Sequence, residues 1–182
     1  MDEENEILDL VNDNDEVIGT ITRGEMVRAN YISPKGRIRF VNAFIVNKEG
    51  KVWVPKRGMH KKTSPGGLDF SVGEHMQSGE TYEQGIARAF KEEANLDISK
   101  IKLVLIERQL PGEVNYGFVK IYATFDYDGP DPEYSKEEFV SASWMDPREF
   151  LEVLKTKPSK KSLPLSLQTL LDYIGKSKHN TT

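Results

Sequence analysis

The most constraining stretch of this 182-residue chain runs from Gly73 to Leu96, GEHMQSGETYEQGIARAFKEEANL. Thr81 followed three residues later by Gln84 has the form of a capping box, in which hydroxyl and amide each satisfy an otherwise orphaned backbone N–H, so a helix is predicted to begin near Tyr82. At 3.6 residues per turn Ala89, Glu92 and Glu93 share one face, and Tyr82, Ile86 and Phe90 form an adjoining stripe suited to burial against a sheet. Two carboxylates therefore project together from a rigid rod. Glu80 lies just before the helix, within reach of a loop that folds it back toward Glu93. Three carboxylates converging on one point suit a hard divalent cation such as Mg2+ held beside phosphates. A charge run such as Lys91-Glu92-Glu93 is, by itself, most often a solvated helix face; the wider spacing is what favours the metal site.

The flanking sequence reads as a scaffold of strands and short helices. Glu6 to Val11 and Glu16 to Thr22 alternate around the turn-forming Asn12-Asp13-Asn14-Asp15 and predict a hairpin, and Thr22 with Glu25 predicts a short helix through about Asn30. Ile38 to Asn47 and Lys51 to Lys56 form a second strand pair around Lys48-Glu49-Gly50, and Asp69 to Val72 reads as a short strand leading into the carboxylate stretch. Between them the basic run Arg57 to Lys62 is either a solvated loop or a phosphate contact, in which Arg57, Lys61 and Lys62 supply charge-assisted hydrogen bonds to a diphosphate. Ile101 to Gln109, Phe118 to Tyr127 and Phe139 to Met145 are further strands, the first two expected to be neighbours. Asp146-Pro147-Arg148-Glu149 is a helix start, and Trp144 before it is expected to be a core residue. A basic linker, Lys155 to Lys161, precedes a last helix from about Pro164 to Ile174, and Lys176 to Thr182 is expected to be a disordered tail.

Composition closes off several classes of function. The chain has no cysteine, which removes disulfides, thiolate metal sites and cysteine nucleophiles. A net charge of -4 argues against a general nucleic-acid surface, and no run of 18 apolar residues or leader-like N-terminus is present, so a cytoplasmic protein with no nucleic-acid or membrane partner is expected.

A glycine, a loop, Glu80, seven residues, Arg88, then Glu92-Glu93 and Leu96 resemble the Nudix box, written G-x5-E-x7-R-E-U-x-E-E-x-G-U with U aliphatic. The chain departs from that pattern at three places: Glu74 stands at the opening glycine with Gly73 one residue early, Ala89 replaces the glutamate after the arginine, and Asn95 replaces the late glycine. Asn is the next-best residue for the left-handed conformation that ends a helix. The approach to the box, with Val17-Ile18-Gly19, Arg23, Asp69-Phe70-Ser71-Val72 and His75, resembles the isopentenyl-diphosphate-isomerase-like branch of the superfamily.

The resemblance covers roughly residues 38 to 156 and implies an α/β fold, a Nudix-type α/β/α sandwich with a mixed sheet, to which the N-terminal hairpin and C-terminal helix are appended. The expected divisions are a flank at 1–36, a Nudix domain at 37–156, a helix at 157–175 and the tail at 176–182. It implies Mg2+ or Mn2+ held by Glu80, Glu92 and Glu93, with Glu92 and Glu93 catalytic, hydrolysing a diphosphate linkage in a nucleoside diphosphate joined to some group X or in a related organic diphosphate. Arg88 supports the box, and Glu74, His75 and Glu138 are auxiliary candidates, Glu74 as compensation for Ala89. The partner is a small-molecule diphosphate, and a homodimer is compatible with this reading. Two alternatives stay open. A non-catalytic diphosphate-binding domain is suggested by Ala89; isomerisation of isopentenyl diphosphate is disfavoured because its protonating cysteine would fall on Gly73.

Overall fold

The computed structural model describes residues 3–31, 33, 35–112 and 115–179. Its centre is strand β3, Arg39–Asn47, whose residues are buried from Val41 through Val46. Alternation sends Val41, Ala43 and Ile45 to one face and Phe44 and Val46 to the other, so both faces must be covered. Two further strands run before it, β1 (Ile7–Val11) and β2 (Val17–Thr22), an antiparallel hairpin joined at the expected turn. Helix α1, Arg23–Arg28, follows with its Thr22–Glu25 capping box formed.

Strand β4 (Val52–Arg57) meets β3 only at Val46–Val52 and then diverges toward β8 (Phe139–Met145), while the first half of β3 pairs with β5 (Val72–His75) and its whole length pairs, in parallel, with β7 (Phe118–Tyr127). Strand β6 (Leu103–Gln109) lies antiparallel to β7, giving the order β6-β7-β3-β4-β8. Ser71 sits in the fork between β3 and β4: its hydroxyl accepts from the Ile45 N–H at 3.0 Å and donates to the Trp53 carbonyl at 2.5 Å. Those side-chain bonds occupy residues that the sequence reads as a strand over Asp69 to Val72, so the ladder begins only at Val72 and extends to His75. The shift matters functionally, because it places Gly73, Glu74 and His75 on the sheet.

Helix α2, Tyr82–Ala94, begins with the Thr81–Gln84 capping box and ends at Asn95 in the left-handed conformation, φ 50°. It covers one face of the sheet through Ile86, Ala89, Phe90 and Ala94. The other face is covered by α3 (Pro147–Val153) and α4 (Leu163–His179), which contribute Phe150, Leu163, Leu167 and Leu170. The result is an α/β/α sandwich with a mixed sheet. Trp144 is half-buried in the α2-side cluster, its ring 5.0 Å from that of Trp53. One expectation is corrected: α4 continues through His179, so residues 176–179 are helical and only 180–182 of the expected disordered tail lie outside the described residues. No described helix is long and apolar enough to cross a membrane.

Candidate active site

A cavity of about 210 Å³ opens where β3 and β5, the end of α2, and the loops after β4 and before α4 meet. Glu74, Glu93 and Glu138 line it together with Arg23, Arg57, Lys160 and Lys161. Helix geometry delivers Glu93: one turn beyond Ala89 and Phe90, which are buried against the sheet, it is itself 5% exposed and accepts the Gly73 N–H at 2.7 Å. Strand pairing delivers Glu74, opposite Val41. Burial pushes the Glu93 carboxyl well above the usual carboxylate range, and the neighbouring charges of Glu74 and Asp69 push it the same way. Glu74 is likewise raised, by burial against the opposing pull of Arg23.

His75 is buried beside them. Burial, then Arg23, Lys160 and Arg88, hold its pKa well below the ordinary value, so the imidazole is neutral, and its Nε2 has no hydrogen-bond partner among the described residues. Its ring lies between Tyr31, stacked at 5.7 Å and 15°, and Phe40, tilted at 4.9 Å. Tyr116 stacks on Tyr31 from the loop before β7, and Lys161 Nζ stands 5.3 Å from the Tyr116 ring centre. The cavity thus has an acidic floor, cationic sides and an aromatic wall.

The carboxylates proposed from sequence are not brought to one point. Glu80 is taken up by Arg88, with Nε–Oε1 2.8 Å and Nη2–Oε2 3.1 Å, and also accepts the Gln77 N–H at 2.8 Å. Arg88 further donates to the His75 carbonyl at 2.7 Å and to Glu92 at 3.1 Å. Glu92 is half exposed, and neither it nor Glu80 lines the cavity. Among the described residues no group of three His, Asp or Glu side chains stands close enough to hold a metal ion. Ala89 is fully buried in the apolar cluster, where a carboxylate would have no polar partner.

The basic loop is also more committed than its sequence suggests. Arg57 is 3% exposed, pairs with Asp69 at 2.7 Å and donates to the Thr63 carbonyl at 2.9 Å, while still lining the cavity. Lys61 pairs with Glu138 at 2.6 Å, and exposed Lys62 pairs with Glu4. The cations that sequence reasoning missed at the cavity are Lys160 and Lys161, read as a linker, and Arg23, noted only for its likeness to the isomerase-like branch. Lys160 is placed by backbone bonding of the linker to Leu68 (Leu68 N–H to the Pro158 carbonyl, 2.8 Å) and stands 3.7 Å from Asp69. For Lys160 and Lys161 the only sequence signal is that they form a pair of lysines just before an apolar helix.

Residues 36–165 match the NUDIX domain family. An uncharacterized Nudix hydrolase of Nostoc sp. is 38% identical over 161 residues, covering 87% of this chain and 91% of that protein. The crystal structure of DR0079 from Deinococcus radiodurans superimposes with a TM-score of 0.77 at 31% identity, covering 90% of this chain and 98% of the other. An isopentenyl-diphosphate Delta-isomerase of Kocuria rhizophila is 27% identical over 119 residues, covering 63% of this chain and 65% of that enzyme.

Proposed function

Because the chain belongs to the Nudix family, we propose that it is a divalent-metal-dependent pyrophosphohydrolase that cleaves a diphosphate linkage, in a nucleoside diphosphate joined to a group X or a related organic diphosphate. The observation that carries this reading is the pair of carboxylates, buried Glu93 and half-buried Glu74, lining one cavity with Arg23, Lys160 and Lys161. Glu74 and Glu93 are hard oxygen donors whose charged forms are disfavoured by burial, and for Glu93 also by the charges of Glu74 and Asp69, despite Arg23 and Lys160 nearby, so the donor set fits Mg2+ or Mn2+. Glu93 and Glu74 would hold it, with Glu92 joining by exchanging its exposed contact to Arg88. Bound there, the ion would neutralise a diphosphate and lower the pKa of attacking water.

The protein's own groups do the rest. Arg23, Lys160 and Lys161 bind phosphate oxygens by charge-assisted hydrogen bonds, and Arg57, fixed by Asp69 and Thr63, is a preoriented donor beside them. Glu93 is assigned as the base from its place on the cavity floor, where the Gly73 N–H fixes the carboxylate. In this reading Glu80 holds Arg88, which in turn fixes the β5 backbone at His75.

A binding-only role has one observation in its favour, the burial of Ala89 at a box position that usually carries glutamate. Isomerisation is opposed by Gly73, where a Cβ would fall 2.7 Å from Asn42 Oδ1, so a cysteine there requires Asn42 to move. The test is a hydrolysis screen over nucleoside triphosphates, nucleotide sugars, dinucleotide polyphosphates and isoprenoid diphosphates, with and without Mg2+. Metal-dependent phosphate or nucleotide release is expected; tight binding of a diphosphate with no product would replace the hydrolase by the binding module.

A further inference from the structure

The loop between β6 and β7 gives the cavity one side-chain atom whose hydrogen-bonding character is decided from a distance. Asn115 lines the cavity and is 8% exposed. Its Nδ2 donates to Gln109 Oε1 at 2.6 Å, and Gln109 Nε2 donates in turn to Glu107 Oε2 at 2.6 Å. The same Glu107 oxygen accepts from Thr169 Oγ1 on α4 at 3.0 Å. Two amides are therefore strung in sequence from a carboxylate on β6 that the last helix helps to hold in place.

That order leaves the amides a single polarity. A carboxylate only accepts, so Gln109 must turn its NH2 group toward Glu107 and its oxygen toward Asn115. Asn115 must then direct its own NH2 at Gln109, and its Oδ1 is left without a hydrogen-bond partner among the described residues. Nor is Oδ1 one of the sealed polar atoms without a partner, which among the described residues are His75 Nε2, Tyr122 Oη and Ser166 Oγ, so it opens on the cavity that Asn115 lines. Asn42, 9% exposed on the same cavity, has no such chain behind it: no hydrogen bond holds its side-chain amide, and it can present either end. Asn115 alone of the two offers a fixed acceptor.

We propose that Asn115 Oδ1, oriented by Gln109 and Glu107, is the acceptor that recognises a hydrogen-bond donor on the organic group attached to the diphosphate, so that the preferred substrate carries an amino or hydroxyl group there. The placement suits that role. Tyr116, next in the chain, lies beside Lys161, a cation assigned above to the phosphates, whose Nζ is 5.3 Å from the ring centre, so the acceptor stands at the flank of the phosphate site. Discrimination follows from the fixed polarity. A carbonyl set against Oδ1 opposes two acceptors where water has been displaced and leaves both unpaired, and a bare C–H leaves Oδ1 unpaired. Asn115 touches the substrate; Gln109 and Glu107 act through it as positioning residues. The inference rests on the hydrolase reading only for which bond of the bound diphosphate breaks.

The experiment uses the full chain and nucleoside diphosphates in pairs that differ at one group. Cytidine against uridine diphosphate, and adenosine against inosine diphosphate, exchange an amino donor for a carbonyl; each ribonucleotide against its 2′-deoxy counterpart removes a hydroxyl. Dissociation constants are read by titration calorimetry with Ca2+ standing in for Mg2+. In at least one kind of pair the donor-bearing member is expected to bind about tenfold more tightly, which identifies the amino or the hydroxyl group as the one recognised. Asn115→Leu is expected to bring that ratio to about one. Glu107→Gln, which donates as well as accepts and so lets both amides flip, is expected to lower the ratio several-fold while leaving the affinity of the weaker member unchanged. Equal affinities in every pair, or a ratio that either variant leaves intact, overturns the proposal. So does an equal loss for both members of a pair in Glu107→Gln, which is the result a purely structural residue would give. Phosphate release in Mg2+ is assayed separately: discrimination without release keeps the acceptor and removes the hydrolase reading, and release without discrimination does the reverse.

Discussion

The two ends of the box make opposite use of the same residue type. At its N-terminal end Glu80 has both oxygens satisfied, by Arg88 and the Gln77 amide, and the loop around it is tied to β1, where Asp9 accepts from Ser78 Oγ at 2.8 Å and the Gly79 N–H at 3.2 Å. At its C-terminal end Glu93 faces Glu74 across a cavity with one backbone N–H as its direct partner, and burial raises the pKa values of both. A carboxylate matched by arginine is a structural strut. A buried carboxylate beside another is a stored deficit of positive charge, which is what a cation and a substrate can relieve.

The largest expected effect tests the uncompensated end. Glu93→Gln should lower metal-dependent turnover by at least about a hundredfold in a steady-state assay while leaving the fold intact by circular dichroism, because it removes charge and keeps volume. Retained turnover would move the base elsewhere, to Glu138 first. Next is the compensated end: Arg88→Ala strips partners from Glu80, Glu92 and the His75 carbonyl, and should cost about 3 kcal/mol in urea unfolding. Less than about 1 kcal/mol would mean the network is solvated rather than structural.

The two ends should also differ in pH response. Glu74 and Glu93 have raised pKa values when folded, so they bind more protons folded than unfolded; the stability they contribute is fully present below the unfolded value near 4.5 and is lost as pH rises through their folded values. Urea midpoints should therefore fall over that window, Mg2+ should restore part of the loss by a few degrees in thermal unfolding, and Glu93→Gln should flatten both responses. A pH-independent midpoint would show that the pair is better solvated than its burial indicates. Asp9→Ala should cost about 1 to 2 kcal/mol through the freed Ser78 and Gly79 donors. The smallest effect is expected at Glu92, half exposed: Glu92→Gln should change stability by under about 0.5 kcal/mol yet reduce turnover, separating its proposed metal role from its contact with Arg88.

The sequence by itself determined the local pieces and the family's fold. Both capping boxes, the left-handed Asn95, the hairpin turn at Asn12 to Asp15 and the alternation in β3 follow from hydrogen bonds and periodicities that span a few residues, and so are written in the order of the chain. Tertiary structure decided which charges face one another. Helical spacing places Glu92 and Glu93 side by side, but only the docking of α2 buries Glu93 and leaves Glu92 outside. Arg57 is separated from Asp69 by a loop, and Lys160 reaches the site only because its linker bonds to Leu68, more than ninety residues away in sequence. The strength of a charge depends on burial and on long-range partners, so the identity of each carboxylate was legible early and its role was not.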